Sequence, residues 1–182
     1  KKKKNWPLDA GRVLGVALDG KGWGPDGNVW GGEFMACDYR SNERLGQFKP
    51  VALPGGEQAV RQPWRNAYAH IRAEMGWAEF AMNFADLDIF KYLNEAPRET
   101  LDGMMASGTQ SPLASSCGRL FDAAAAITGL LRDEQSYEGH AAMLFEASID
   151  PAALNEPDSL KYPFSIPLHQ ETRMPYIEPL GG

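Results

Sequence analysis

The sequence predicts an α/β domain: a three-stranded antiparallel meander over residues 12–53, followed by a cluster of helices on one face of the sheet. Three observations carry this reading. Residues 12–53 are rich in β-formers and punctuated by glycine, and the apolar spacing turns helical at Glu57. Behind the serine-rich loop SPLASS, CGRLFDAAAAITGLL has helical spacing over residues 117–131. One meander and one late strand make a small sheet for 182 residues, so the chain is expected to be a fragment of a larger domain.

The elements follow in order. RVLGVALD, residues 12–19, reads as a buried strand, and the glycine-dense stretch after it contains GWGPDG, a literal G-x-G-x-x-G. That pattern binds a dinucleotide only where a helix follows it. Here NVWGGEFMACDY follows, so the unit is strand, turn, strand. RLGQFKPVAL closes the meander and PGG breaks it. Trp64, Ala67, Tyr68, Ile71 and Met75 then mark an amphipathic helix over 57–75, interrupted near Pro63 and stopped at Gly76. Residues 77–110 give short helices, with Pro97 in a first turn. In the helix from Cys117, Leu120, Phe121, Ala124, Ile127 and Leu131 are the expected core stripe. Another helix starts near SYEG, a further one at Asp150-Pro151, and YPFSIPL is extended, while HQETRMPYIEPLGG carries no pattern.

Composition narrows the function classes. A 43% apolar and 23% charged chain is an ordinary globular domain. The net charge of −6 includes the lysine block at residues 1–4, which reads as an addition to the native sequence; without it the balance is −10, against a nucleic-acid partner. No apolar run reaches the roughly 18 residues of a membrane span, and no signal peptide pattern follows the lysines, so a cytoplasmic location is expected. Cys37 and Cys117 fit free thiols, and the three histidines have no metal-ligand spacing, so no metal site is expected within this segment.

Three places could carry chemistry. At the glycine-rich hairpin, Gly20, Gly22, Gly24 and Gly27 could let a ligand oxygen reach backbone N–H groups, with Asp19 and Asp26 as nearby carboxylates; a turn without a ligand is the alternative. Gly31 and Gly32 continue the glycines into a strand, where they mark close approach of another backbone or of a ligand. At the helix start, Gly118 and Asp122 stack on one side with Arg119 beside them, bare enough for an anionic or ribose-bearing ligand; an exposed Arg119–Asp122 ion pair is the alternative. Cys117 sits where a helix dipole lowers a thiol pKa, although no base partners it. Gly139, Ala141 and Ala142 form a small-residue face for packing or for a cofactor.

Taken together, VALDGKGWGPDGNVWGGEF, VALPGGEQAVRQPWR, SPLASSCGRLFDAAAAITGL and SYEGHAAMLFEA resemble the C-terminal catalytic domain of the hydrogenase-maturation carbamoyltransferases, the HypF family, from about Asn5 to Pro179. GRLFDA and YEG resemble, more distantly, nucleotide-lining segments of the tRNA threonylcarbamoyltransferases. The resemblance implies an actin-like ATPase fold of RNase H-like halves, with residues 5–182 as part of one catalytic domain. It implies that ATP or carbamoyl adenylate is bound and that the carbamoyl group passes to the C-terminal cysteine of a partner maturation protein, for the cyanide ligand of a nickel-iron site. Gly20, Gly22 and Gly24 become the phosphate-side loop, and Gly118, Arg119, Asp122 and Gly139 lie near the adenosine; Arg119 stands where the tRNA-modifying relatives carry Glu. Asp19 and Glu33 are the expected catalytic carboxylates. The family's zinc or iron is expected only with histidine-rich and late aspartate segments that this sequence lacks, so the isolated chain should not turn over alone. An O-carbamoyltransferase of a small metabolite and a non-catalytic adenylate binder are the competing readings.

Overall fold

The computed structural model describes residues 11–155 and 163–179; the lysine block, Tyr162 of the expected YPFSIPL strand and residues 180–182 lie outside the described residues. β1 (Val13–Trp23), β2 (Val29–Cys37) and β3 (Asn42–Phe48) form the antiparallel meander. Its third strand stops earlier than residue 53. Val51–Ala52 (β4) leaves the meander to pair with Leu113–Ala114 (β5), which meets β2 at Val29. The tail, patternless in sequence, supplies β6 (Phe164–Ser165) and β7 (Tyr176–Pro179), and β7 runs parallel to β3. Lys49, bonded to both Glu74 and Glu178, fastens that strand to the helices.

The first hairpin is longer than the sequence suggests. β1 runs through the glycines to Trp23, and the turn is the stretch from Gly24 to Asn28, where Gly27 takes φ +79°. Asp26 is committed to this turn: it accepts from Asn28 N at 3.2 Å, Trp30 Nε1 at 2.9 Å and Arg44 Nη2 at 2.6 Å. Arg44 also stacks over the Trp30 ring at 4.2 Å. Gly24 is glycine because that indole lies on it; a Cβ there would stand 2.0 Å from Trp30 Nε1. The glycine pattern therefore serves the packing of a turn.

Pairing between β1 and β2 slips once. Leu18 faces Gly32 and Gly22 faces Trp30, which leaves Asp19, Gly20 and Lys21 opposite Gly31 alone. This bulge bends β1 toward the helices. α1 (Glu57–Arg61) and α2 (Pro63–Glu74) break at Gln62–Pro63, as the proline predicts, and α2 buries Trp64, Ala67, Tyr68 and Ile71. α3 (Trp77–Asn83), α4 (Asp88–Glu95) and α5 (Arg98–Ser107) add Phe80, Ile89, Leu93 and Leu101 to the same core, so the largest apolar cluster lies between helices. Pro97 caps α5 from outside its first turn. Residues 151–155 form a single 3-10 turn, capped by Asp150 Oδ1 on Ala152 N.

α6 (Cys117–Thr128) packs on α2 with a face other than the expected one. It buries Arg119, Asp122, Ala123, Ala125 and Ala126, whereas Leu120 and Phe121 are 40% and 42% exposed and Ile127 is exposed as well. Alanines allow a close helix–helix approach that bulkier side chains would prevent. The rotation places a charged pair inside the fold. α7 (His140–Ala147) starts after Gly139, which takes φ +80° at its N-cap, and packs on α6.

Candidate nucleotide cleft

A cleft of about 440 Å³ lies where the bulge of β1 meets the openings of α6 and α7. Asp19, Gly20, Gly118, Arg119, Asp122 and Gly139 line it, together with Leu18, Cys117, Phe121, Glu138 and Ala142. The seam between strand and helix is tight. Ser116 Oγ lies 2.7 Å from Gly20 O and 3.1 Å from Asp19 O, and it accepts from Arg119 N, capping α6 while holding the bulge. A Cβ on Gly118 would meet Gly20 Cα at 2.8 Å. Glycine is required there by the approach of another backbone.

The bulge does not present a row of free amides. Gly20 N donates to the Asp19 carboxylate at 2.6 Å, and the bulge carbonyls face Ser116. The unspent donors are fewer: Cys117 N and Gly118 N open α6 without an intrahelical acceptor, whereas Arg119 N is taken by Ser116 Oγ and, in α7, His140 N by Tyr137 O and Ala141 N by Gln135 Oε1. Gly22 and Gly24 lie along the hairpin away from the cleft lining. Glu33 is also elsewhere. It is buried, accepts from Gly31 N at 2.6 Å and Gly32 N at 2.8 Å, and takes the Ser115 hydroxyl on its other oxygen. These bonds satisfy the Gly31 amide opposite the bulge and the Gly32 amide beside it, which accounts for a buried carboxylate as a fastening.

The buried pair is the chemical centre of the cleft. Arg119 Nε lies 2.6 Å from Asp122 Oδ2, and their side chains are only 5% and 2% exposed. Arg119 Nη1 is buried with no hydrogen-bond partner in the protein, so folding has removed from water a cation whose residue lines the cleft and left one of its donors unspent. Burial pushes Asp122 up to about 6, against the Arg119 charge and the Gln135 amide that pull it down. The surface ion pair considered as an alternative is thus replaced by an interior one. For Cys117 the helix dipole loses to burial, which raises the thiol above its ordinary value.

Two further residues belong to this region, Glu138 inside the YEG motif and Gln135 with no sequence signal. Glu138 lines the cleft, with Oε1 near Gly20, and Gln135 lies beneath it at 8% exposure. Gln135 Nε2 donates to Asp122 Oδ1 at 2.8 Å and to Val60 O at 2.7 Å, and Oε1 accepts from Ala141 N at 3.2 Å. A lone Gln in a loop belongs to no spacing pattern, so only the fold could reveal it. Among the described residues, no group of three or more His, Cys, Asp or Glu side chains is arranged to hold a metal ion, and no helix is long and apolar enough to cross a membrane.

The meander and the helix cluster match a class, the Kae1-like domains of carbamoyltransferases. Residues 15–178 match the family described as "Carbamoyltransferase, Kae1-like Domain, second subdomain", and the chain belongs to it. It is 44% identical over 142 residues to the carbamoyltransferase HypF of Rhodobacter capsulatus, covering 78% of this chain and 18% of that protein. The crystal structure of full-length HypF in the phosphate- and nucleotide-bound form superposes with TM-score 0.70 at 33% identity, covering 92% of this chain and 24% of that one. HypF of T. kodakarensis gives 0.65 at 28% identity, over 92% and 22%. The chain thus spans less than a quarter of the length of each of these relatives.

Proposed function

We propose that this chain is the adenylate-holding part of a HypF-type carbamoyltransferase, built on an actin-like, RNase H-like half-domain. The single observation that carries the reading is the buried Arg119–Asp122 pair, one guanidinium nitrogen of which has no partner, in two residues that line a cleft of ligand size. A relative solved with phosphate and nucleotide supports it.

In this reading, ATP-derived carbamoyl adenylate lies across the mouths of α6 and α7. The ionised Asp122 accepts a ribose hydroxyl, the Arg119 guanidinium donates to the nucleotide, and the free amides of Cys117 and Gly118, with the α7 opening at Gly139, meet the phosphate. Gly118 keeps the wall flat enough for that approach. Asp19, the catalytic candidate that lines the cleft, is the exposed carboxylate at its rim. It takes the proton as an acceptor thiol attacks the carbamoyl carbon, the new S–C bond forms and AMP leaves with the bond to its phosphate oxygen. Orientation and charge are this chain's contribution. The acceptor is a cysteine of a partner maturation protein, and the family's metal belongs to segments outside this chain; transfer therefore needs the longer protein.

Calorimetry with AMP tests the reading. The parent chain binds AMP, Asp122→Ala weakens binding by about 10- to 100-fold through loss of a charged hydrogen bond, and affinity falls as pH drops through about 6, where Asp122 gains its proton. An AMP affinity unchanged by Asp122→Ala, or no AMP binding by the parent, would sink it. Activity with a small hydroxylated metabolite, and none with a thiol acceptor, would favour the O-carbamoyltransferase alternative.

A further inference from the structure

Beneath the cleft, one neutral side chain joins three elements. Gln135 spends both amide hydrogens on acceptors, the Val60 carbonyl of α1 and the Asp122 carboxylate of α6, and its carbonyl takes the Ala141 N–H in the first turn of α7. Its own backbone N donates to Arg61 O at 2.7 Å. This set fixes the amide's orientation, because the flipped amide would put oxygen against two acceptors and NH₂ against a donor. Burial of this side chain makes each of the three bonds costly to lose.

We propose that Gln135 is a positioning residue for the adenylate site: it holds Asp122 ionised and aligned with Arg119, and it ties the opening of α7 to the same carboxylate. The inference rests on the adenylate reading for its ligand but not for its geometry. Asp122 faces a mixed field, with Arg119 on its own helix, Glu138 ahead of α7, Asp19 and Cys117 at the cleft wall and Glu57 of α1, whose carboxylate senses Arg119. Against that field, the only neutral donor on Asp122 in the hydrogen-bond network among the described residues is Gln135. Its amide pulls the carboxyl down, whereas burial and Glu138 push it up. Removing the amide therefore raises the pH at which Asp122 ionises, and the ligand's affinity follows.

The test uses the full chain with two variants: Gln135→Met, of similar shape without the amide, and Gln135→Glu, which keeps an acceptor for Ala141 N–H but sets a second carboxylate beside Asp122. The Asp122 carboxyl midpoint is followed by carbon NMR, and AMP affinity by calorimetry between about pH 5.5 and 8.5. Gln135→Met is expected to raise the midpoint by about one unit, so that AMP binds about fivefold more weakly near pH 6 and at parental strength by about pH 8.5. Gln135→Glu raises it further. If Gln135→Met fails to fold, Gln135→Glu carries the test alone. An unmoved Asp122 midpoint, or an affinity lost by the same factor at every pH, overturns the role of Gln135. Absence of AMP binding by the parent chain, with the midpoint shifted as expected, overturns the adenylate reading instead.

Discussion

Gly32→Ala is expected to destabilise the fold by about 3 kcal/mol, the upper end of what overpacking costs. A Cβ at this position would stand 2.3 Å from Ser115 O and 2.5 Å from Phe48 Cδ2. Neither neighbour has room to yield. Ser115 is pinned by its N–H on Val29 O at 3.0 Å and by its hydroxyl on the buried Glu33, while Phe48 packs edge-on against Phe34 at 5.9 Å. The substitution pushes β2 away from the loop that delivers α6. Thermal unfolding should show a Tm about 6–12 °C lower for a chain of this size. A Tm within about 2 °C of the parent would mean that the seam between β2 and the Ser115 loop is loose.

Gly118→Ala is expected to remove ligand binding out of proportion to its effect on stability. Its Cβ would meet Gly20 Cα at 2.8 Å, and a backbone atom can make room only if the strand bulge and the helix opening separate. Separation lengthens the Ser116 bonds to Gly20 O and Asp19 O, and the α6 amides and Arg119 retreat from the rim. AMP affinity should fall about 100-fold, equivalent to two or so good hydrogen bonds. Gly20→Ala is the control. Its Cβ meets only Oε1 of Glu138, at 2.8 Å, the free end of a flexible side chain that can swing aside. Affinity within about threefold of the parent is expected there, less than one hydrogen bond's worth. Equal losses in both variants would contradict the view that backbone approach, rather than side-chain bulk, shapes this wall.

Much of this was legible in the residues. The meander, the proline break at Gln62–Pro63 and the stretch from Cys117 follow from local period and breaker chemistry, and local signals travel with the sequence. The facing of α6 does not. Arg119, Asp122, Ala123 and Ala126 have the same helical spacing as a core stripe, and hydrophobicity alone favours the rival set containing Leu120, Phe121 and Ile127. The choice is made by α2, whose approach admits alanine and charges Arg119 and Asp122 with a buried pairing. β7 was hidden for a related reason: a strand of four residues that pairs in parallel with a distant β3 carries no local period. What the glycines pack against is not legible either: Gly24 answers to an indole, and Gly118, outside the fingerprint, to a strand. Glu33, a buried fastening, and Gln135, a neutral hub, become visible only when the bulge has bent β1 over α6.

The central claim is that one ligand, an adenylate, lies between the bulge of β1 and the openings of α6 and α7. The direct measurement is an AMP titration of the uniformly labelled chain followed through its backbone amide resonances. The largest shifts should fall on Gly20, Cys117, Gly118, Arg119 and Gly139, with the hairpin tip from Gly24 to Asn28 unmoved. Saturable shifts at that tip, with the openings of both helices silent, would contradict the account.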